Sequence, residues 1–169
     1  MRLKFLSILG ALIFTMTETV NAAGTLILET SKGEIRIALL ETLAPNHVSR
    51  IKTLAKEGFY DGIIFHRVIP GFMAQTGDPT GTGMGGSGQN LKAEFSDYQY
   101  QYGTVGMARA MSPDSADSQF FICFDGCGHL TGQYTVWGQV ESGMEAVEAI
   151  NAGEPPSEPD QIITATVEE

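Results

Sequence analysis

The fold is decided by residues 65–78, which read Phe-His-Arg-Val-Ile-Pro-Gly-Phe-Met-Ala-Gln-Thr-Gly-Asp. One arginine, Arg67, and one glutamine, Gln75, stand there among large apolar side chains. No nucleophile and no cluster of metal ligands accompanies them. This mixture suits a site that binds a neutral apolar group and polarises it.

Outside this stretch, the apolar residues predict short strands and two helices. Strand-like alternation occurs at residues 34–39, whereas helical spacing follows Pro45, a residue suited to the first helical position. His47, near the start of that helix, is expected to be solvated. The predicted strands are residues 25–29, 34–39, 63–69, 72–76, 104–108, 119–123, 135–140 and 162–167, and the predicted helices are residues 45–57 and 144–150. This content favours a mainly β fold, a closed eight-stranded antiparallel β-barrel capped by two α-helices.

Strand alternation also predicts a groove on one face of the sheet. Arg67 would share that face with Phe65, and His66 would be buried on the opposite face and hydrogen-bonded there. Phe121 would point away from its two neighbours in the strand. The groove side chains predicted in this way are Arg67, Phe72, Met73, Gln75 and Phe121.

Four segments resemble parts of one enzyme family. Residues 65–78 are similar to the signature of the cyclophilins, the peptidyl-prolyl cis/trans isomerases, and residues 118–123, Ser-Gln-Phe-Phe-Ile-Cys, match a second part of that family. Residues 107–110 and 128–134 resemble two further walls of the family's substrate site. The resemblance covers about residues 26–167, and it implies a single isomerase domain at residues 23–169 that acts on X-Pro peptide bonds.

The resemblance also implies a role for each site residue. Arg67 would be the catalytic arginine, and Gln75 would support it and bind the substrate backbone. The residues implied in substrate binding are Phe72, Met73, Ala108, Arg109, Phe121, His129, Leu130 and Tyr134. No cofactor and no metal would be needed. The partners would be proline-containing unfolded or flexible polypeptides, bound by a monomer.

The chemistry of rotation about an X-Pro bond explains why the site would use an arginine. The barrier to rotation, ~18–20 kcal/mol, comes from amide resonance. In the twisted state the prolyl nitrogen regains a lone pair, so a fixed cation that donates a hydrogen bond there favours the transition state over both planar isomers. A guanidinium stays charged and presents several donors in one plane, which a lysine would not reproduce.

Two departures from the family support a rival interpretation. His129 stands where many cyclophilins have tryptophan, and Tyr134 stands where many have histidine. The rival is a non-catalytic module that binds proline segments or acts as a chaperone. Intact Arg67 and Gln75 favour the enzyme, because binding alone would not require that charge. A barrel that carries a small ligand inside is disfavoured, since the strand interiors look filled by Ile, Phe and Val.

Residues 1–22 have the three parts of an export signal. Arg2 and Lys4 make a positive start, residues 5–14 are apolar, and small side chains precede the expected cleavage after Ala22. An apolar run of that length is too short to span a bilayer, so stable membrane insertion is not expected. The pattern predicts a periplasmic or otherwise exported protein; translation from Met16 would instead give a cytoplasmic one.

The net charge excludes some classes of partner. The formal net charge of −10 argues against nucleic acids and anionic membranes as partners.

Cys123 and Cys127 could form a disulfide, but two free thiols are the simpler interpretation. A metal site that adds His129 is disfavoured by the spacing. The Gly-x-Gly-x-x-Gly pattern at residues 81–86 is interpreted as a chance match to a dinucleotide-binding motif, because no strand precedes it and no helix follows. The resemblance implies instead that this loop borders the substrate groove.

Overall fold

A computed structural model describes residues 23–169, so the predicted export signal lies outside the described residues. The strands are β1 Thr25–Thr30, β2 Gly33–Leu39, β3 Arg67–Ile69, β4 Met73–Thr76, β5 Thr104–Met107, β6 Phe120–Cys123, β7 Val136–Ser142 and β8 Ile162–Glu168. The helices are α1 Pro45–Lys56 and α2 Met144–Glu148, and a 3₁₀ segment spans Asp125–Leu130. The predicted elements are therefore confirmed with bounds within two residues, except that β3 begins at Arg67 rather than at residue 63.

All eight strands belong to one antiparallel sheet with the order β3-β4-β6-β5-β7-β2-β1-β8. Within residues 23–169 the terminal strands β3 and β8 share no ladder. Their edges approach through an isolated bridge between Ile64 and Gln161 and through backbone hydrogen bonds from residues 62–65. The sheet curls but stays open, and the prediction of a closed barrel is wrong in this respect, because residues 63–66 do not form a regular strand.

The two faces of the sheet build separate cores. The larger core packs one face against both helices, and it takes Val48, Ile51 and Leu54 from α1 and Val147 from α2. The smaller core lies under the other face and contains Leu40, Met73, Tyr100, Phe121, Cys123, Cys127, Leu130 and Val136. The second core supports the candidate site described below. Among the described residues no helix is long and apolar enough to cross a membrane.

The start of α1 is capped by a residue far away in sequence. Ala44 offers no capping side chain, and the carboxylate of Glu94 accepts hydrogen bonds from the backbone N–H groups of Asn46 (3.1 Å) and His47 (3.0 Å). The Nδ1 atom of His47 lies 2.6 Å from Oε2 of Glu94, and the His47 side chain is fully buried. The expectation that His47 is solvated is therefore wrong, because the loop that carries Glu94 covers it.

Glu94→Ala should destabilise the fold by about 2 kcal/mol, since it removes a carboxylate that accepts several hydrogen bonds. Burial alone would raise the pKa of Glu94, but the hydrogen bonds from His47 and Asn46 lower it overall. A lowered pKa means that this stabilisation is present above the unfolded-state pKa, about 4.3, and is lost as the pH falls through the folded-state pKa. Urea unfolding from pH 7 down to pH 3 measures both effects.

The control is Glu41→Ala, which removes an exposed carboxylate two residues after β2. This variant should stay within about 0.5 kcal/mol of the parent protein. If both variants cost the same, or if the difference between them did not shrink at low pH, the capping role of Glu94 would be wrong.

Candidate active site

Four residues on adjacent strands line up across the outer face of the sheet. Arg67 on β3 lies opposite Gln75 on β4, Gln75 lies opposite Phe121 on β6, and Phe121 lies opposite Gly106 on β5. The neighbouring row, which contains Val68, Ala74, Ile122 and Val105, points into the larger core. Because side chains alternate along a strand, register alone places the arginine and the glutamine beside an apolar floor.

A cavity of about 570 Å³ opens above this row. Met73, Phe121 and Leu130 form its apolar floor and are almost completely buried. Nine of the sequence-predicted site residues line it, namely Arg67, Phe72, Met73, Gln75, Ala108, Arg109, Phe121, Leu130 and Tyr134. The tenth, His129, is exposed outside the cavity and packs its ring on Phe72 at a centroid distance of 5.5 Å.

Arg67 is held by a residue that the sequence did not indicate. Its Nε donates a 2.7 Å hydrogen bond to Oε1 of Glu154, which lies in the loop before β8. Gln75, expected to support Arg67, instead donates from Nε2 to Oε1 of Gln119 at 3.0 Å. The Arg67 side chain is 42% exposed, so its guanidinium lies at the mouth of the cavity. Within residues 23–169 neither of its Nη groups has a hydrogen-bond partner.

Residues 81–83, in the glycine-rich segment 81–86, form another wall of the cavity. Asp78 anchors it by accepting hydrogen bonds from the backbone N–H groups of Thr80, Gly83 and Gly85. Burial would raise the pKa of Asp78, but these bonds and that of the Thr80 hydroxyl outweigh it and lower the pKa to about 2. Gln119 donates to the carbonyls of Gly83 and Gly85. The wall is therefore an ordered structure connected to Gln75 through Gln119.

Arg109 and Tyr134 form a further part of the cavity lining. The guanidinium carbon of Arg109 lies 4.5 Å from the centre of the Tyr134 ring, a cation–π arrangement. Tyr134 in turn meets Phe121 edge to face at 5.9 Å. Arg109 also donates to the backbone carbonyls of Gln133, Ala110 and Met111. These contacts fix the orientation of the guanidinium without a carboxylate.

A disulfide braces the wall that carries Leu130. Cys123, at the end of β6, is bonded to Cys127 in the 3₁₀ segment, with their Cα atoms 6.0 Å apart. Both cysteines are fully buried in the smaller core. The expectation of two free thiols is therefore wrong, because the chain turns back after β6 and brings Cys127 over its end. The bond ties the segment of His129 and Leu130 to the sheet.

Reduction of the disulfide should destabilise the protein by about 2 kcal/mol, the loop-entropy value for so short a loop. It should also raise KM for a proline peptide, because Leu130 loses its attachment to the sheet. Thermal unfolding and peptide kinetics with and without a thiol reductant measure these effects. Cys127→Ala is the control, since it should no longer respond to reductant. Two titratable thiols in the unreduced, denatured protein would contradict the structure.

Two expectations about the neighbouring strand need correction. Phe65 lies in the larger core rather than on the face of Arg67, because residues 63–66 lack strand alternation. His66 is buried as expected, but it lines the cavity beside Arg67, and its ring nitrogens have no hydrogen-bond partner within the described residues. Burial lowers the pKa of His66, and the charge of Arg67 also lowers it against the opposing effect of Asp78.

Reasoning from the residue patterns alone missed the cavity residues that come from loops. These are Gly81, Thr82, Gly83, Glu154 and Pro155, together with Gln119, which braces Gln75. The glycine-rich pattern was the only signal for the first three, and it pointed to the groove only through the resemblance. In residues 23–169 no group of three or more His, Cys, Asp or Glu side chains could hold a metal ion.

Known proteins resemble this chain in sequence and in architecture. Residues 25–167 match the family model described as cyclophilin type peptidyl-prolyl cis-trans isomerase/CLD. A probable peptidyl-prolyl cis-trans isomerase of Brucella suis is 47% identical over 94% of this chain and 91% of its own length. A peptidyl-prolyl cis-trans isomerase of Synechococcus elongatus is 45% identical over 76% of this chain and 89% of its own.

Solved structures agree with these sequence matches. A cyclophilin from Hirschia baltica superposes with a TM-score of 0.78 at 29% identity, covering 87% of this chain and 74% of that one. A Cryptosporidium parvum cyclophilin-type isomerase, solved in the presence of the dipeptide Ala-Pro, superposes with a TM-score of 0.79 at 29% identity, covering 86% and 99% of the two chains. The chain therefore belongs to the cyclophilin family of peptidyl-prolyl cis-trans isomerases.

Proposed function

We propose that the cavity around Arg67 is the site where this isomerase twists X-Pro peptide bonds. The observation that carries this proposal is a single one: a half-exposed guanidinium is fixed at the mouth of an apolar cavity. The floor of Met73, Phe121 and Leu130 offers the proline ring a dry surface. With Nε bound to Glu154, the Nη groups of Arg67 can donate to the prolyl nitrogen as it pyramidalises.

The remaining site residues hold the peptide rather than act on the rotating bond. Gln75 lies in register beside Arg67, where it can bind substrate backbone, and Gln119 fixes its orientation. Ala108 and Arg109 form the strand-like wall along which an extended peptide would run. Phe72 and Tyr134 close the two sides of the proline pocket, and His129 supports Phe72 from outside. No step requires a cofactor or a metal.

The substrates are proline-containing unfolded or flexible polypeptides, since the chain on one side of the X-Pro bond must be free to rotate while the proline lies in the cavity. The Cryptosporidium relative was solved in the presence of Ala-Pro, which supports a proline dipeptide as the recognised unit. Catalysis would accelerate a folding step that otherwise takes tens to hundreds of seconds.

A refolding experiment tests this function and separates it from the rival binding module. The substrate is a small protein whose slow refolding phase is limited by X-Pro isomerisation. An enzyme shortens that phase at concentrations far below that of the substrate, without changing the yield. A binding module would have no effect at such concentrations and would slow refolding at stoichiometric ones. The second pattern would overturn the proposal.

We also propose that the protein acts after export, as a monomer that assists folding in an oxidising compartment such as the periplasm. The Cys123–Cys127 disulfide supports this location, because such bonds persist mainly in oxidising compartments. The acidic formal charge of −10 disfavours nucleic-acid partners. N-terminal sequencing of protein from the source cells should begin at Ala23 or Gly24. A form that begins at Met16 and carries free thiols would contradict export.

A further inference from the structure

The proposed function accounts for the charge of Arg67 but not for that of Arg109. Both side chains line the cavity, together with Glu154 and the ring of His66. Glu154 compensates Arg67 through their 2.7 Å ion pair. His66 adds no charge near neutral pH, because burial lowers its pKa. The cavity lining therefore keeps one uncompensated positive charge, and Arg109 carries it.

Arg109 has no carboxylate within ion-pair distance among residues 23–169. Its hydrogen-bond partners are neutral carbonyls, which hold the guanidinium but do not cancel its charge. Stacking on Tyr134 further restricts its movement. A fixed, half-buried cation attracts an anion without a large loss of side-chain entropy on binding.

A second cavity of about 370 Å³ also has Arg109 in its lining. Asp117 also lines that second cavity, where it accepts hydrogen bonds from the backbone N–H groups of Ser87 and Gly88. The lining of the second cavity therefore carries one charge of each sign, although the two side chains are not within ion-pair distance. The lining of the first cavity, in which the proline would lie, has a net positive charge by contrast.

We propose that Arg109 gives this isomerase a preference for X-Pro segments with an aspartate or glutamate next to the proline. This inference rests on the proposed function, because it assigns a substrate class to the same cavity. The whole chain, with its formal charge of −10, repels acidic peptides. Arg109 therefore favours acidic residues beside the bound proline, although the chain as a whole repels them.

The test compares kcat/KM for capped peptides that differ in one residue beside the proline. Glutamate, glutamine and lysine take in turn the position directly before and the position directly after the proline, and both peptide ends are blocked. For the parent protein we expect glutamate to exceed glutamine by about threefold on at least one side, and lysine to be the poorest, in line with half-exposed charge pairs. The preference should fade as salt is raised toward about 1 M, where screening reaches a few ångströms.

Three variants assign the preference to Arg109. Arg109→Gln should bring the glutamate-to-glutamine ratio close to one, and Arg109→Lys should restore much of it, since the charge returns. Lys92→Gln is the matched control, because it removes an exposed cation that lies outside both cavities. Each result is a ratio within one variant, so a general loss of activity does not affect it.

The outcomes separate this inference from the proposed function. Isomerisation of every peptide with a ratio near one in the parent protein would overturn the charge preference and leave the enzyme intact. A preference that survived in Arg109→Gln, or disappeared in Lys92→Gln, would overturn the role of Arg109. Absence of isomerisation with all peptides would instead refute the proposed function itself.

Discussion

Arg67→Ala is expected to lower kcat/KM for X-Pro isomerisation by more than tenfold, which corresponds to over ~1.4 kcal/mol of barrier. The substitution removes the cavity-lining guanidinium whose Nη groups have no hydrogen-bond partner among the described residues, whereas those of Arg109 already donate to backbone carbonyls. The fold should stay intact, because Arg67 is half exposed and its one ion pair is worth at most about 1 kcal/mol. Peptide exchange kinetics and urea unfolding on the same samples separate the two effects.

Arg67→Lys separates the charge of the side chain from its planar set of donors, which Arg67→Ala cannot do. Lysine keeps the charge but loses the planar set of donors, including the Nε–H that Glu154 holds. We expect it to recover little of the lost activity. Full activity in Arg67→Lys would show that charge alone suffices and that the multi-donor argument is wrong.

Gly106→Ala is expected to lower both stability and activity, because the side chain would have no space. A Cβ at position 106 would overlap the hydroxyl of Tyr100 and lie 2.6 Å from Cζ of Phe121. These two rings stack at a centroid distance of 5.8 Å, and Phe121 is part of the cavity floor. Overpacking of this kind costs about 1–3 kcal/mol. Displacement of Phe121 into the cavity should reduce kcat/KM by at least about tenfold, since a misplacement of about 1 Å in an active site can cost about a hundredfold.

Gly128→Ala provides the matched control. It is the same substitution on the segment that carries the Leu130 wall, but no heavy atom lies within 4 Å of the Cβ it would add. Its stability should stay within about 0.5 kcal/mol of the parent protein, and its kcat/KM should be unchanged. If the two variants behaved alike, close packing at Gly106 would not be the reason for a glycine there.

Much of the fold could be predicted because the local signals agreed with the tertiary structure. Pro45 and the apolar spacing after it located α1, and the strands had alternating or continuous apolar runs. The row of Arg67, Gln75 and Phe121 followed from strand alternation once the strands were known. These features depend on residues close in sequence.

The predictions that were wrong or missing concern contacts between residues far apart in sequence or in loops. His47 looked solvated because nothing near it in the chain indicates that Glu94 would cover it from 47 residues away. Glu154 was missed for the same reason, since its loop has no periodic pattern that shows where it packs. Cys127 could not be paired with Cys123 without knowing how the chain turns after β6. Sequence patterns do not encode such loop positions.

The most direct test of the central claim is the cis/trans exchange rate of a capped Ala-Pro peptide, measured by NMR with residues 23–169 of the parent protein and of Arg67→Ala. We predict that a catalytic amount of the parent protein accelerates exchange without changing the cis/trans ratio, and that Arg67→Ala, folded to the same extent, loses more than nine-tenths of that acceleration. No acceleration by the parent protein, or equal acceleration by both, would contradict the assignment of this cavity as the isomerase site.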